Sequence, residues 1–160
     1  MKLIAISGAK HSKKDKIASK LSKNSDCIWI HPYTDREYPI SADTIVYDSI
    51  YLNRKQLSDK MEREVPLCVT VVDGSRYVFF ENQLNSGHVV LIGDDQVINT
   101  LKKDYKGKLI TIKCHSKNEQ PSERCTLPDS EFDIVFNVEL DDYDILEELV
   151  GDIYDFGVGS

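Results

Sequence analysis

Cysteine is sparse and follows no ligand pattern in this chain. Cys27, Cys68, Cys114 and Cys125 include no CxxC spacing, so free, buried thiols are expected in place of a metal site or a disulfide framework. Long apolar runs are missing as well. No stretch approaches the roughly 18 residues that a membrane helix needs. The opening Met1-Lys2-Leu3-Ile4-Ala5-Ile6-Ser7 breaks at Gly8, too short for the core of a signal peptide. A cytoplasmic protein with no membrane partner is therefore expected. Excess positive charge is the third absence. The formal net charge is −7, with acid gathered in Glu139-Leu140-Asp141-Asp142-Tyr143-Asp144 and Glu147-Glu148, which argues against duplex nucleic acid as a partner. No internal repeat or low-complexity segment is found.

What is there belongs to one globular domain. The chain has 160 residues, 41% of them hydrophobic and 29% charged, enough to bury about 68–70% of the unfolded surface around one core. Its lysines cluster at Lys10, Lys13, Lys14 and Lys16 and again at Lys102, Lys103, Lys106 and Lys108. Local cation clusters on an acidic protein suit a small anionic ligand.

Hydrophobic periodicity expects a buried strand over 2–6, a helix over 13–23 with Ile17, Ala18 and Leu21 inward, and a strand over 27–30 ended at His31-Pro32. Residues 33–44 read as a long polar surface loop. Asn53 with Gln56 forms a capping-box signature for a helix carrying Leu57 and Met61. Two β-rich runs, 67–72 and 75–80, flank Asp73-Gly74, a strong hairpin signal. Further on come a helix over 81–85 stopped by Gly87, a strand over 88–92, a helix over 94–103 with Val97, Ile98 and Leu101 inward, and strands over 109–112 and 132–136. Asp141 is expected to cap a last helix with Ile145, Leu146, Leu149 and Ile153 on one stripe. Strands alternating with helices imply a parallel sheet between helical layers, the hairpin being an inserted lobe.

Between the first strand and first helix stands Gly8-Ala9-Lys10-His11-Ser12-Lys13-Lys14-Asp15. Such a loop cradles phosphates on backbone N–H groups, sends a lysine to the β- and γ-phosphates and uses a hydroxyl on magnesium. Lys14 holds the lysine position of a Walker A loop. Lys13 replaces the preceding glycine, which is tolerable only if the backbone there avoids the left-handed region. Asp15 replaces the hydroxyl residue and could still offer oxygen to magnesium. Several lysines at a helix start work against the helix dipole unless an anion binds there. His11 and His115 read as surface residues, since a metal needs more ligands than the pair His115 and Cys114.

Over nearly its whole length the order of these blocks resembles guanylate kinase. The resemblance is carried by Tyr51-Leu52-Asn53-Arg54-Lys55-Gln56-Leu57, by Gly74-Ser75-Arg76-Tyr77, by Ser86-Gly87-His88-Val89-Val90-Leu91-Ile92-Gly93-Asp94 and by Phe132-Asp133-Ile134-Val135-Phe136-Asn137. An aspartate after the loop lysine is similar to certain phage deoxynucleoside monophosphate kinases. The resemblance implies a P-loop NTPase-type α/β three-layer sandwich in a single domain. Its core would span 1–32 and 87–160, its nucleoside monophosphate (NMP) lobe about 33–86 and its short lid about 114–125.

It further implies ATP-dependent phosphoryl transfer to a nucleoside or deoxynucleoside monophosphate, with Mg2+ and ATP as cofactors and nucleotides as partners. Lys14 and Arg124 would be catalytic. Gly8, Ser12, Lys13, Lys14, Asp15 and Asn137 would bind the nucleotide and its phosphates, and Arg36 (after a one-residue shift), Tyr77 and Asp94 the acceptor. Asp15 and Asp94 would serve Mg2+, and Arg124 would sit on the helix after the lid. The departures point the other way. Leu67 and Cys68 stand where the family has its guanine-reading glutamate, Val78 and Phe79 follow Tyr77, and the lid has one arginine. The alternative is a related module that binds a nucleotide or a protein partner without turnover. A homodimer stays open.

Overall fold

The computed structural model describes residues 2–24, 27–37, 49–84 and 87–159, with side chains through residue 151. In chain order the elements are β1 (Lys2–Ser7), α1 (Lys14–Asn24), β2 (Ile28–Trp29), β3 (Tyr33–Thr34), β4 (Ile50–Tyr51), α2 (Arg54–Arg63), β5 (Pro66–Val72) and β6 (Ser75–Phe80). They continue with β7 (Val89–Ile92), α3 (Asp95–Asp104), β8 (Lys108–His115), β9 (Ile134–Asn137) and α4 (Tyr143–Gly159). Strands β2-β7-β1-β8-β9 form a five-stranded sheet in that order, and all its pairings are parallel.

β1 lies at the centre, and its side chains alternate between faces as strand geometry requires. Ile4 and Ile6 pack with Ile17, Ala18 and Leu21 of α1 and with Leu146 and Val150 of α4. Leu3 and Ala5 pack on the other face with Val97, Ile98 and Leu101 of α3. The mixed α/β architecture with helices on both faces of a parallel sheet is the one the sequence implied. From β1 the chain turns toward β2, and from β8 toward β9. The order therefore reverses between β1 and β8, and the carboxyl ends of these two strands open the crevice where such sheets bind ligands.

The hairpin belongs to a second sheet of order β4-β3-β6-β5, in which β6 pairs antiparallel with β3 and β5, and β3 pairs parallel with β4. Asp73 (φ 49°) and Gly74 (φ 80°) close its tip with two left-handed residues, the twist-matched hairpin turn. Leu57, Val78 and Phe80 form a small core inside this sheet. Cys68 and Phe79 instead join the α3 side of the main core and weld the two sheets together.

Several expectations are corrected. Tyr33 and Thr34 are a strand of the second sheet, not loop, because they pair with Tyr77 and Val78; 38–48 lie outside the described residues. Asp142, not Asp141, opens α4: its carbonyl accepts from Leu146 N–H at 3.3 Å and its carboxylate from Asp144 N–H at 2.9 Å. Asp141 is turned back onto the N–H of Asn137. α4 buries Leu146 and Val150, whereas Ile145 and Leu149 face outward; Ile153 lies beyond the described side chains. Cys114 and His115 belong to β8, so the connection to β9 starts at 116. All four cysteines are free and buried. Among the described residues no helix is long and apolar enough to cross a membrane.

Candidate phosphate-binding site

β1 delivers its last residue, Ser7, to the crevice, and Gly8 begins the turn into α1. A Cβ on Gly8 would collide with Ser12 Oγ and lie 2.9 Å from the Cys114 carbonyl oxygen. Glycine is thus required by close approach rather than by dihedral angle. The loop closes through Ser12 N–H to the Ala9 carbonyl (3.1 Å), and α1 starts with Lys16 N–H to the Lys13 carbonyl (3.1 Å). The first amides of α1, which have no intrahelical acceptor, together with the helix dipole favour an anion at this end.

Two polar side chains here are buried. Ser12 is wholly buried, and its Oγ has no hydrogen-bond partner; a buried unpaired hydroxyl is rare and costly. Lys14 is 3% exposed and folds back to donate to the Ala9 carbonyl at 3.3 Å. Burial pushes its ammonium below the usual lysine range, only partly offset by Cys125 and Asp15. Beside them opens a cavity of about 570 Å3 lined by His11, Lys13, Lys14, Asp15, Asn118 and Gln120. Asp15 is exposed in the first turn of α1 and could face a bound cation.

Lys13 violates the condition under which it was tolerable. Both Lys13 and His11 sit at φ 63°, a left-handed conformation that disfavours a Cβ by roughly 1–2 kcal/mol per residue. Lys13 is anchored by Glu139, 3.5 Å from its Nζ.

The segment between β8 and β9 is fastened over the loop. Gln120 N–H donates to the Lys10 carbonyl at 2.9 Å, and Ser116 Oγ to Glu139 at 2.6 Å. Asp95 takes Thr126 N–H and Oγ1 at 2.8 Å each, while Lys113 Nζ reaches the Leu127 carbonyl at 3.1 Å. His115, expected on the surface, is held between Glu119 (2.8 Å) and Asp129 (2.7 Å). Arg124 lies on a turn of this segment and not on a helix, with its carbonyl capping Asp95 N–H at 2.8 Å.

In the second sheet, Tyr77 is 5% exposed between Thr34 and Thr70, its register partners on the neighbouring strands and both buried. Arg36 and Arg124, far apart in sequence, converge on one carboxylate of Asp73 at 3.9 and 3.6 Å. Arg76, adjoining Tyr77, donates from Nε to Asp35 at 2.9 Å and braces the backbone beside Arg36. Asp94 caps α3 through Val97 N–H at 3.1 Å. Burial raises its carboxyl above the usual range, with backbone amides and Arg124 pulling the other way. Asn137 ends β9 with its side-chain oxygen taken by Glu139 and Leu140 N–H groups, both at 3.1 Å, and so acts as a turn residue. Among the described residues no three His, Cys, Asp or Glu side chains gather as a metal cluster.

Of the expected residues, Gly8, Ser12, Lys13, Lys14 and Asp15 share one loop, Arg36 and Arg124 meet at Asp73 with Asp94 close enough to Arg124 to feel its charge, and Tyr77 and Asn137 stand apart in a strand and a turn. Sequence reasoning missed Asp73, Asp35, Arg76 and Glu139. The Asp-Gly turn signal marked the position of Asp73 but not its partners.

No protein-family model and no curated protein sequence matches the chain. Among solved structures it is similar to the crystal structure of guanylate kinase from Anaplasma phagocytophilum, with a TM-score of 0.64 and 14% identity over 98% of this chain and 85% of that one. At that identity the likeness establishes a guanylate kinase-like fold.

Proposed function

We propose that the chain binds ATP at the Gly8–Asp15 loop and transfers its γ-phosphoryl group to a nucleoside or deoxynucleoside monophosphate. The observation that carries this reading is the buried, unpartnered Ser12 Oγ beside a buried Lys14 at the head of α1, where the sheet order reverses. In this reading Lys14 leaves the Ala9 carbonyl for the β- and γ-phosphates, and the loop amides hold the remaining phosphate oxygens. Arg36 and Tyr77 hold the acceptor phosphate in the lobe over 33–86. Arg124, from the lid, offers positive charge where the transferring group develops its own. Asp15, the better-exposed carboxylate, and Asp94, the buried one, would hold Mg2+, which would supply positive charge to the transferring phosphate; magnesium usually takes only one or two protein carboxylates. Nucleotides are its partners and the cytoplasm its setting.

A second reading, nucleotide binding without turnover, is favoured by Lys13 and His11 at φ 63° and by a lid segment with a single arginine. ADP release from Mg-ATP across a panel of nucleoside and deoxynucleoside monophosphates separates the two. Turnover by wild type that is lost in Lys14→Ala establishes the kinase. ATP binding that needs Lys14, with no turnover on any acceptor, selects the second reading.

A further inference from the structure

Asp73 occupies an unusual place. It stands at the exposed tip of the β5–β6 hairpin, yet its Oδ2 is the shared neighbour of Arg36 Nη1 at 3.9 Å and Arg124 Nη2 at 3.6 Å. Both separations exceed a hydrogen bond. Arg36 Nη1 is buried and has no hydrogen-bond partner. The pair therefore presents a positive, under-satisfied socket with a carboxylate hovering at its mouth. Asp35, next in sequence to Arg36, does not fill that role, because its two oxygens accept from Arg76 N–H and Nε at 2.9 Å each.

We propose that Asp73 is an internal competitor for the arginine pair, a carboxylate that holds Arg36 and Arg124 together until the phosphate of an incoming acceptor displaces it. The proposal rests on the reading of this pair as the acceptor-phosphate subsite and adds to it a device that regulates entry. A tetrahedral phosphate brings more charge and more acceptor oxygens than one carboxylate, and it can satisfy the buried Nη1 that Asp73 leaves unpaired. Displacement is easy because the Asp73 side chain is 67% exposed and returns to water. The contact also ties the hairpin tip to the segment that carries Arg124, and release of Asp73 removes that tie.

The consequence is arithmetical. A site whose competent state is only fractionally populated binds with its intrinsic affinity reduced by that fraction. Two partly exposed ion pairs hold the occupied state by factors of a few each, so their removal should tighten phosphate binding by about three- to tenfold.

Asp73→Asn is the informative variant because asparagine accepts the left-handed first position of an Asn-Gly turn, which keeps the hairpin. Inorganic phosphate is titrated by calorimetry at low ionic strength into the full chain carrying Lys14→Ala, which weakens phosphate binding at the loop. Circular dichroism confirms that each variant is folded. The expected result is tighter binding in Asp73→Asn, with the gain abolished when Arg36→Gln is added. Equal affinity with and without Asp73, or a gain that survives Arg36→Gln, overturns the competitor role. Absence of phosphate binding in Asp73→Asn overturns it together with the arginine subsite. Neither result touches the ATP reading, which is checked separately by ATP binding to the chain with Lys14 intact.

Discussion

At the scale of single residues, the most informative position is Lys13. Glycine adopts φ 63° cheaply, lysine does so at a cost, and a β-branched side chain fits worst. Lys13→Gly removes that strain but forfeits the solvent-screened Glu139 ion pair, a weak contact, and adds freedom to the unfolded chain, a cost of about 0.5–1 kcal/mol. We expect urea unfolding to rank Lys13→Gly at least equal to wild type and Lys13→Val below it, because a β-branched side chain adds its own clash to the left-handed cost that lysine already bears. A valine variant as stable as wild type would contradict the left-handed loop. The identity of the loop was legible because Gly8, Lys14 and their spacing are local features. Its shape was not, since the left-handed backbone at His11 and Lys13 leaves no mark in residue types that ordinarily avoid it, and the ion partner of Lys13, Glu139, lies far along the chain on another turn.

At the scale of elements, the connection between β8 and β9 is pinned by His115. Burial works against the charge of this imidazole, yet hydrogen bonds to Asp129 and Glu119 outweigh it and lift the pKa above the ordinary value. A raised folded-state pKa contributes stability that is fully present below about pH 6.5, the unfolded value, and is lost as pH climbs through the folded value. The urea midpoint of wild type relative to His115→Gln should therefore fall as pH rises from about 6 to 8.5, and a pH-independent difference would show that folding leaves the pKa of the imidazole unshifted. The elements themselves were readable where local signals agree: the buried run of β1, the Asn53–Gln56 capping box, which forms as expected, and the Asp73-Gly74 turn. α4 was misread because Ile145 and Leu149 share a helical stripe with each other as plausibly as Leu146 and Val150 do. Only the direction of the neighbouring sheet decides which stripe goes inside.

At the scale of the whole molecule, the two sheets unfold as one body if Phe79 does what its position implies. It is 2% exposed and leaves the hairpin sheet to join the α3 side of the main core. Truncation of a buried phenylalanine costs about 3–5 kcal/mol. Phe79→Ala should therefore destabilise the entire chain by that amount, with Trp29 fluorescence and far-UV circular dichroism reporting one coincident urea transition. Two separated transitions would show that the lobe melts alone. The architecture was legible from alternating strands and helices, but the meeting of Arg36, Asp73 and Arg124 was not, since it depends on how the hairpin sheet docks. The thiols beside the Gly8–Asp15 loop carry one more consequence. Cys125 receives a hydrogen bond from Ser7 Oγ at 3.6 Å, burial raises its pKa, and Lys14 lies close enough to influence it. Cys125 is 7% exposed, so an alkylating reagent reaches its sulfur only when the loop and the connection between β8 and β9 part. The rate of its modification is thus a built-in clock for that parting, and a ligand that clamps the two together should slow it.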